Sequence, residues 1–302
     1  MVKKILKLLY KLIPFTFKYF IKDIYLFLKF SNDGAVNIKK IVFFKSFDNV
    51  VVLGNGPSLN ADREDILSLA DSNDFVCVNN FCDDELYVKL KPSLYVFLDA
   101  YFFSTKAHEQ LVLRREKTFN IINEVTTWNM NIVVPSSADV SILKKIIKNR
   151  NITIYKISTL SYFSYGNSKF EKFFFDVGMY GPAQINVLIY GIYLSIIANY
   201  KNIKIYGADL SFHNDIMVDQ KTNCLYIEYK HFNQKNTFEI LRKNPDKVEP
   251  WKMAELMKLT SDTFYAHEFM YKYAINKGIH IENASSHSLI DAYPRSKRAN
   301  CT

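Results

Sequence analysis

The sequence predicts an α/β fold: a Rossmann-like, mostly parallel sheet with helices on both faces. Three observations predict it. Val50 to Leu53 reads as a buried strand running into a tight turn, Gly54-Asn55-Gly56-Pro57-Ser58, and then into a helical stretch. Apolar runs and helical stretches alternate from there to Asn283. Polar residues stand directly after successive strands, where open α/β sheets collect ligands. The 302 residues, 49% of them hydrophobic, suffice for one large domain or a domain with a subdomain.

Residues 1 to 30 carry seven lysines and one acid, Asp23. On a helical wheel all but Lys3 of these lysines fall within about 60°, and most of the remaining surface is aromatic or aliphatic. No uncharged run approaches the roughly 18 residues of a spanning helix, and no small-residue cleavage site follows. The expectation is an amphipathic helix, bent at Pro14, lying on an anionic membrane surface. Packing on the protein's own core is the alternative. Most of the formal charge of +9 then needs no nucleic acid as partner. The chain divides into a membrane-associating segment, 1–47, and an α/β domain, 48–302, on the inner face of the cell membrane. A homo-oligomer is compatible with this division.

Ile41 to Phe44 reads as a short strand leading to the central motif. In the turn that follows, two glycines permit sharp bending and close approach of a ligand. A helix over Ala61 to Ala70, capped by Asn60, would offer free amides to a phosphate. The motif is neither common fingerprint: Leu59 occupies the third glycine position of GxGxxG, and no Gly-Lys-Ser/Thr follows. Further strands are expected at Phe75 to Val78, Ser93 to Leu98, Ile132 to Val134 and Ile152 to Ile157, with a helix over Ala138 to Lys148. Asn55, Asn79 and Asp99 each follow a strand; singly, each also suits a turn or a cap.

Gly181 is expected to open a long apolar helix, Ala183 to Asn199, and to offer an amide to a phosphate. The strand Ile203 to Tyr206 ends at Gly207-Ala208-Asp209. From about 210 to 250 the pattern dissolves into polar and aromatic residues, as lids do. A helix Trp251 to Lys277, a strand Ile279 to Asn283 and a closing segment Ser285 to Arg295 complete the chain. Cys77, Cys82, Cys224 and Cys301 form no CxxC pair, so no structural zinc site is expected and a reducing cytoplasm fits.

The landmarks GNGPSL, VNNF, FLDA, Gly181, NYKNIKIYGADLSF and YAINKGIHIENASSHSL, in that order, resemble the bacterial sialyltransferases of glycosyltransferase family 42. They also resemble the related pterin pyrophosphokinase-like and uncharacterised proteins. The resemblance spans about residues 48 to 295. It implies a GT-A-like variant of the Rossmann fold, a CMP-sugar donor as substrate with no cofactor, a lid, and inversion without a metal. Asn55, Gly56 and Ser58 match the donor loop and Asn79 the asparagine of the second strand end. Asp99 stands where the sialyltransferases have asparagine, and Tyr180-Gly181-Pro182 where they have Ser-Gly.

The family's catalytic histidine precedes the last long helix, and none stands near Ser261; His267 comes later in that helix. His231, then His213, are the candidate bases, because both fall in the expected lid and imidazole titrates near neutral pH. Tyr226, Tyr229, Lys230 and Arg242 are candidates for holding the leaving phosphate, and no metal ligand is assigned. The expected activity moves sialic acid or a similar acidic sugar onto a lipid-linked oligosaccharide, a lipooligosaccharide or capsule precursor. Two alternatives stand beside it: a pterin-type pyrophosphokinase using ATP and Mg²⁺ held by Asp99 and Asp209, and a non-catalytic membrane-bound scaffold.

Overall fold

The computed structural model describes residues 38, 41–158, 173, 175–182, 186–229, 237–246 and 248–296. The expected amphipathic helix at 1–30 lies outside the described residues.

Seven strands form one sheet: β1 (Asn49–Leu53), β2 (Asp74–Val78), β3 (Leu94–Val96), β4 (Met130–Pro135), β5 (Ile152–Ile157), β6 (Asn202–Tyr206) and β10 (His280–Asn283), in the order β10-β6-β1-β2-β3-β4-β5. Every neighbouring pair is parallel. Strands buried on both faces read as unbroken apolar runs, which is why VVVL and FVCV stood out in the sequence.

Alternation along the strands sends side chains to two separate cores. Val50, Val52, Val76, Val78, Ile203 and Ile205 pack with helices α5 (Val187–Ile197) and α6 (Met253–Asn276) on one face. Val51, Leu53, Phe75, Cys77, Tyr95 and Ile132 pack on the other, with α1 (Arg63–Ser68), α2 (Leu86–Leu90), α3 (Glu109–Val125) and α4 (Val140–Ile146). The α/β sheet with helices on both faces is thus as predicted.

Several local expectations are corrected. Ile41 to Phe44 is not a strand; the Val42 carbonyl accepts from the Asn131 side-chain amide at 2.7 Å and joins no ladder. The helix expected from Ala61 is a 3-10 turn, Pro57–Asn60, followed by α1 with Asp62, not Asn60, at its N-cap. Helix α3, absent from the sequence reading, covers one face of the sheet through Phe119 and Ile122. Gly181 does not open α5: Asn186 caps that helix, its side chain accepting from Leu188 N at 2.9 Å.

Between β6 and α6, where the pattern dissolved, the chain forms a second sheet. Strands β7 (Ile216–Val218), β8 (Leu225–Tyr229) and β9 (Thr237–Ile240) are antiparallel, with a small core of Leu225, Ile227, Leu241 and Leu256.

Candidate functional site

The connections leaving β1 and β6 run to opposite sides, β1 towards β2 and β6 towards β10, so the carboxyl ends of these two strands form the topological switch point of the sheet. A cleft of about 320 Å³ opens there. Its walls come from Gly54 to Pro57 after β1, Val78 and Asn79 at the end of β2, Gly207 to Ser211 after β6, the start of α5, and Ile227 and Glu228 of the second sheet.

The loops after β1 and β6 are bound to each other. Gly54 N donates to Tyr206 O at 2.8 Å, Gly56 N to Gly207 O at 2.9 Å, and Ser58 N to the Asp209 carboxylate at 3.0 Å. The glycine turn was expected to come close to a ligand; its amides at Gly54, Gly56 and Ser58 are taken by the β6 loop. A Cβ on Gly56 would run into the Asp209 carboxylate, and one on Gly54 into the Gly207 carbonyl. Gly207 has φ +64° and faces Leu59, so conformation and space both select glycine there.

Asp209 is 3% exposed. Burial pushes its carboxyl up and nearby Asp62 adds to this, against the Ser58 amide that donates to it. Leu210, next in sequence, holds φ +48°, a conformation that strains a leucine.

Asn79 also has φ +48°. Its carbonyl accepts from the Tyr95 hydroxyl at 2.8 Å and its side-chain amide donates to Asp99 at 2.8 Å. Water reaches Asp99, yet the protein around it is dense enough to push its carboxyl up, against Arg114 and the Asn79 amide. Asn55 likewise donates its amide to Val78 O at 3.2 Å. Oδ1 of Asn55, Asn79 and Asp209 are buried acceptors without a hydrogen-bond partner. Buried acceptors are rarely left this way, and all three belong to residues that line the cleft.

Of the residues named from sequence, Asn55, Gly56, Asn79 and Asp209 line the cleft, while Ser58 and Asp99 stand behind it, each bonded to a lining residue. Gly181 is not among the lining residues; it is packed under the Tyr190 hydroxyl and the Ser158 carbonyl. Tyr226 pairs with Met217 and Ile240 inside the second sheet, outside the cleft lining. Arg242 is exposed and donates to Val248 O at 2.9 Å, also away from the lining. Lys230 and His231 lie outside the described residues, and His213 and Tyr229 are described through their backbone alone. Among the described lining residues the charges are all negative: Asp209, Asp215 and Glu228. His287 was named only within the SSHSL match; nothing about its spacing signals that its loop docks on Asp209.

No protein-family model matches the chain, and no curated protein matches it. Among solved structures, it is similar to one described as the structure of MAf glycosyltransferase from Magnetospirillum magneticum AMB-1, with a TM-score of 0.47 and 12% identity. The match covers 85% of this chain and 35% of that one, so the chain spans about a third of that protein's length.

Proposed function

We propose that the protein is a glycosyltransferase that takes a sugar from a nucleotide donor bound in the switch-point cleft. One observation carries this reading: the unpaired acceptors Asn55 Oδ1, Asn79 Oδ1 and Asp209 Oδ1 belong to residues that meet at the ends of β1, β2 and β6. Ribose and sugar hydroxyls are the donors such acceptors recognise.

The sequence resemblance supports the finer assignment: a CMP-linked sialic acid or similar acidic sugar, transferred with inversion and without a metal to a lipid-linked or oligosaccharide acceptor. Residues 1 to 30 would hold the enzyme on the anionic inner face of the membrane. The described lining residues include no cation, and Lys230 is the residue proposed to hold the leaving phosphate.

Calorimetric titration with CMP, UDP and ATP, each with and without Mg²⁺, tests this. CMP binding that does not require Mg²⁺ is expected. The other reading from the sequence, a Mg²⁺-dependent pyrophosphokinase with the metal on Asp99 and Asp209, predicts ATP binding only with the metal; among the described residues no three or more metal-ligating side chains are grouped to hold an ion. Binding of none of the three nucleotides supports the scaffold.

A further inference from the structure

Helix α6 presents a ridge and a groove on its outer side. Met253, Met257, Ser261, Tyr265 and Phe269 recur at every fourth position and so form one inclined row, apolar except for its serine. Met253, Met257, Ser261 and Tyr265 are exposed, and Phe269 is half-buried. Beside the row opens a groove of about 380 Å³, lined by Met257, Thr260, Ser261, Phe264, Tyr265 and Glu268. Thr260, Phe264 and Glu268 make the next row of the same kind. The groove is thus the gap between two rows of α6, the shape into which a second helix fits its own ridge. Every described residue of its lining belongs to α6.

The start of the described chain points to the occupant. Ile38 is buried and lies so close to Gly178 that a Cβ there would strike it. Phe175, whose carbonyl accepts from the Gly178 amide at 3.0 Å, packs on Phe269 at the end of the row, with ring centroids 5.0 Å apart. The 37 residues before Ile38 therefore set out from the Phe269 end of the ridge. Within them, residues 1 to 30 confine all but one lysine to a narrow sector and leave an apolar arc over most of the wheel. A helix apolar over most of its circumference belongs against protein. At roughly 1.5 Å per residue it would reach about 45 Å, against about 24 Å from Met253 to Phe269. The 159–172 stretch is shorter and carries Gly166 and Asn167 at its centre, which interrupt a helical pattern.

We infer that residues 1 to 30 dock on the α6 ridge as a helix, apolar side against Met253, Met257 and Tyr265, with the lysine sector turned outward. The lysines are then the part that meets anionic head groups, and the α6 side of the domain is the side that faces the membrane. Attraction to the bilayer is electrostatic in this arrangement and weakens with salt.

The test puts the photoreactive residue p-benzoylphenylalanine in place of Met257 in the full chain. Irradiation is expected to give a product that runs as a single chain on a denaturing gel, with the new bond mapped by mass spectrometry to residues 1–30. The same residue in place of Glu116, on α3 across the sheet, is expected to give no such bond. Leu9→Asp combined with Ile13→Asp, both opposite the lysines on the wheel, is expected to lower the yield at least about tenfold. Adding phosphatidylglycerol vesicles is expected to leave the yield unchanged. A bond from position 257 to a second copy, to residues 159–172 or to lipid overturns the inference, as does no bond at all or an equal yield from position 116. Loss of the yield on adding vesicles also overturns it, because the apolar arc then belongs to the bilayer. None of these outcomes bears on the nucleotide cleft, which the calorimetric titration tests separately.

Discussion

Ser58 and Asp209 are 151 residues apart in sequence, and the backbone amide of the first donates to the carboxylate of the second at 3.0 Å. That bond closes the floor of the cleft, and Gly56, lying against the same carboxylate, gives it room.

Replacing Gly56 by alanine tests the fit. The backbone there is extended, with φ −70°, so the only cost is the collision with Asp209 and the Gly207 carbonyl. Urea denaturation is expected to show a loss of about 1–3 kcal/mol, with weakened nucleotide binding. Gly54→Ala is expected to lose more, because its nearest neighbour is backbone.

Asp209→Ala and Asp209→Asn separate charge from hydrogen bonding. Alanine leaves the buried Ser58 amide without an acceptor, a cost of about 1–3 kcal/mol. Asparagine retains an acceptor and is expected to stay near wild-type stability while losing transfer activity. Equal stability of the two variants would show that the bond contributes nothing.

His267 makes the fold sensitive to acid. It is fully buried, and its folded value of about 3 lies below the unfolded one of about 6.5. The unfolded chain therefore takes up the proton first. This contribution to stability is complete above about pH 6.5 and is lost as pH falls towards 3, by up to about 1.4 kcal/mol per unit. Denaturation midpoints measured from pH 7 to 4 are expected to fall less steeply in His267→Phe than in wild type.

Asp99→Ala frees the Asn79 amide. The side chain can then turn, and nucleotide affinity is expected to fall about tenfold, the equivalent of one hydrogen bond. Calorimetry measures this directly.

Arg295→Ala removes two donors that hold the loop after β10, at Ser285 O and Ser288 O. Hydrogen exchange at Ser285 to Ile290 is expected to speed up about ten- to a hundredfold, with nucleotide binding retained.

The sequence made the sheet legible where strands are buried on both faces, from Val50 to Val134 and again at Ile203. It also made the convergence of Asn55, Asn79 and Asp209 legible, because the ends of parallel strands lie on one rim. Helix α3 escaped because EQLVLRREKTFNIINEV is largely charged and buries only a narrow face, Arg115, Thr118, Phe119 and Ile122. The second sheet escaped because its strands are short and its core is four residues. The fate of the glycine-turn amides could not be read locally, since their partners, Tyr206, Gly207 and Asp209, come some 150 residues later.

The strand order also governs how the molecule assembles. β1 is central in the finished sheet, but its neighbour on one side, β6, begins only at Asn202. During synthesis β1 to β5 can pair as they emerge, leaving β1 as a bare edge until the sixth strand is made. Closure across that span is a long-range event, slow by nature, so the nucleotide cleft is among the last parts to exist. A chain that stalls short of Asn202 presents an open template for strand addition, and a cell making this protein has reason to shield it.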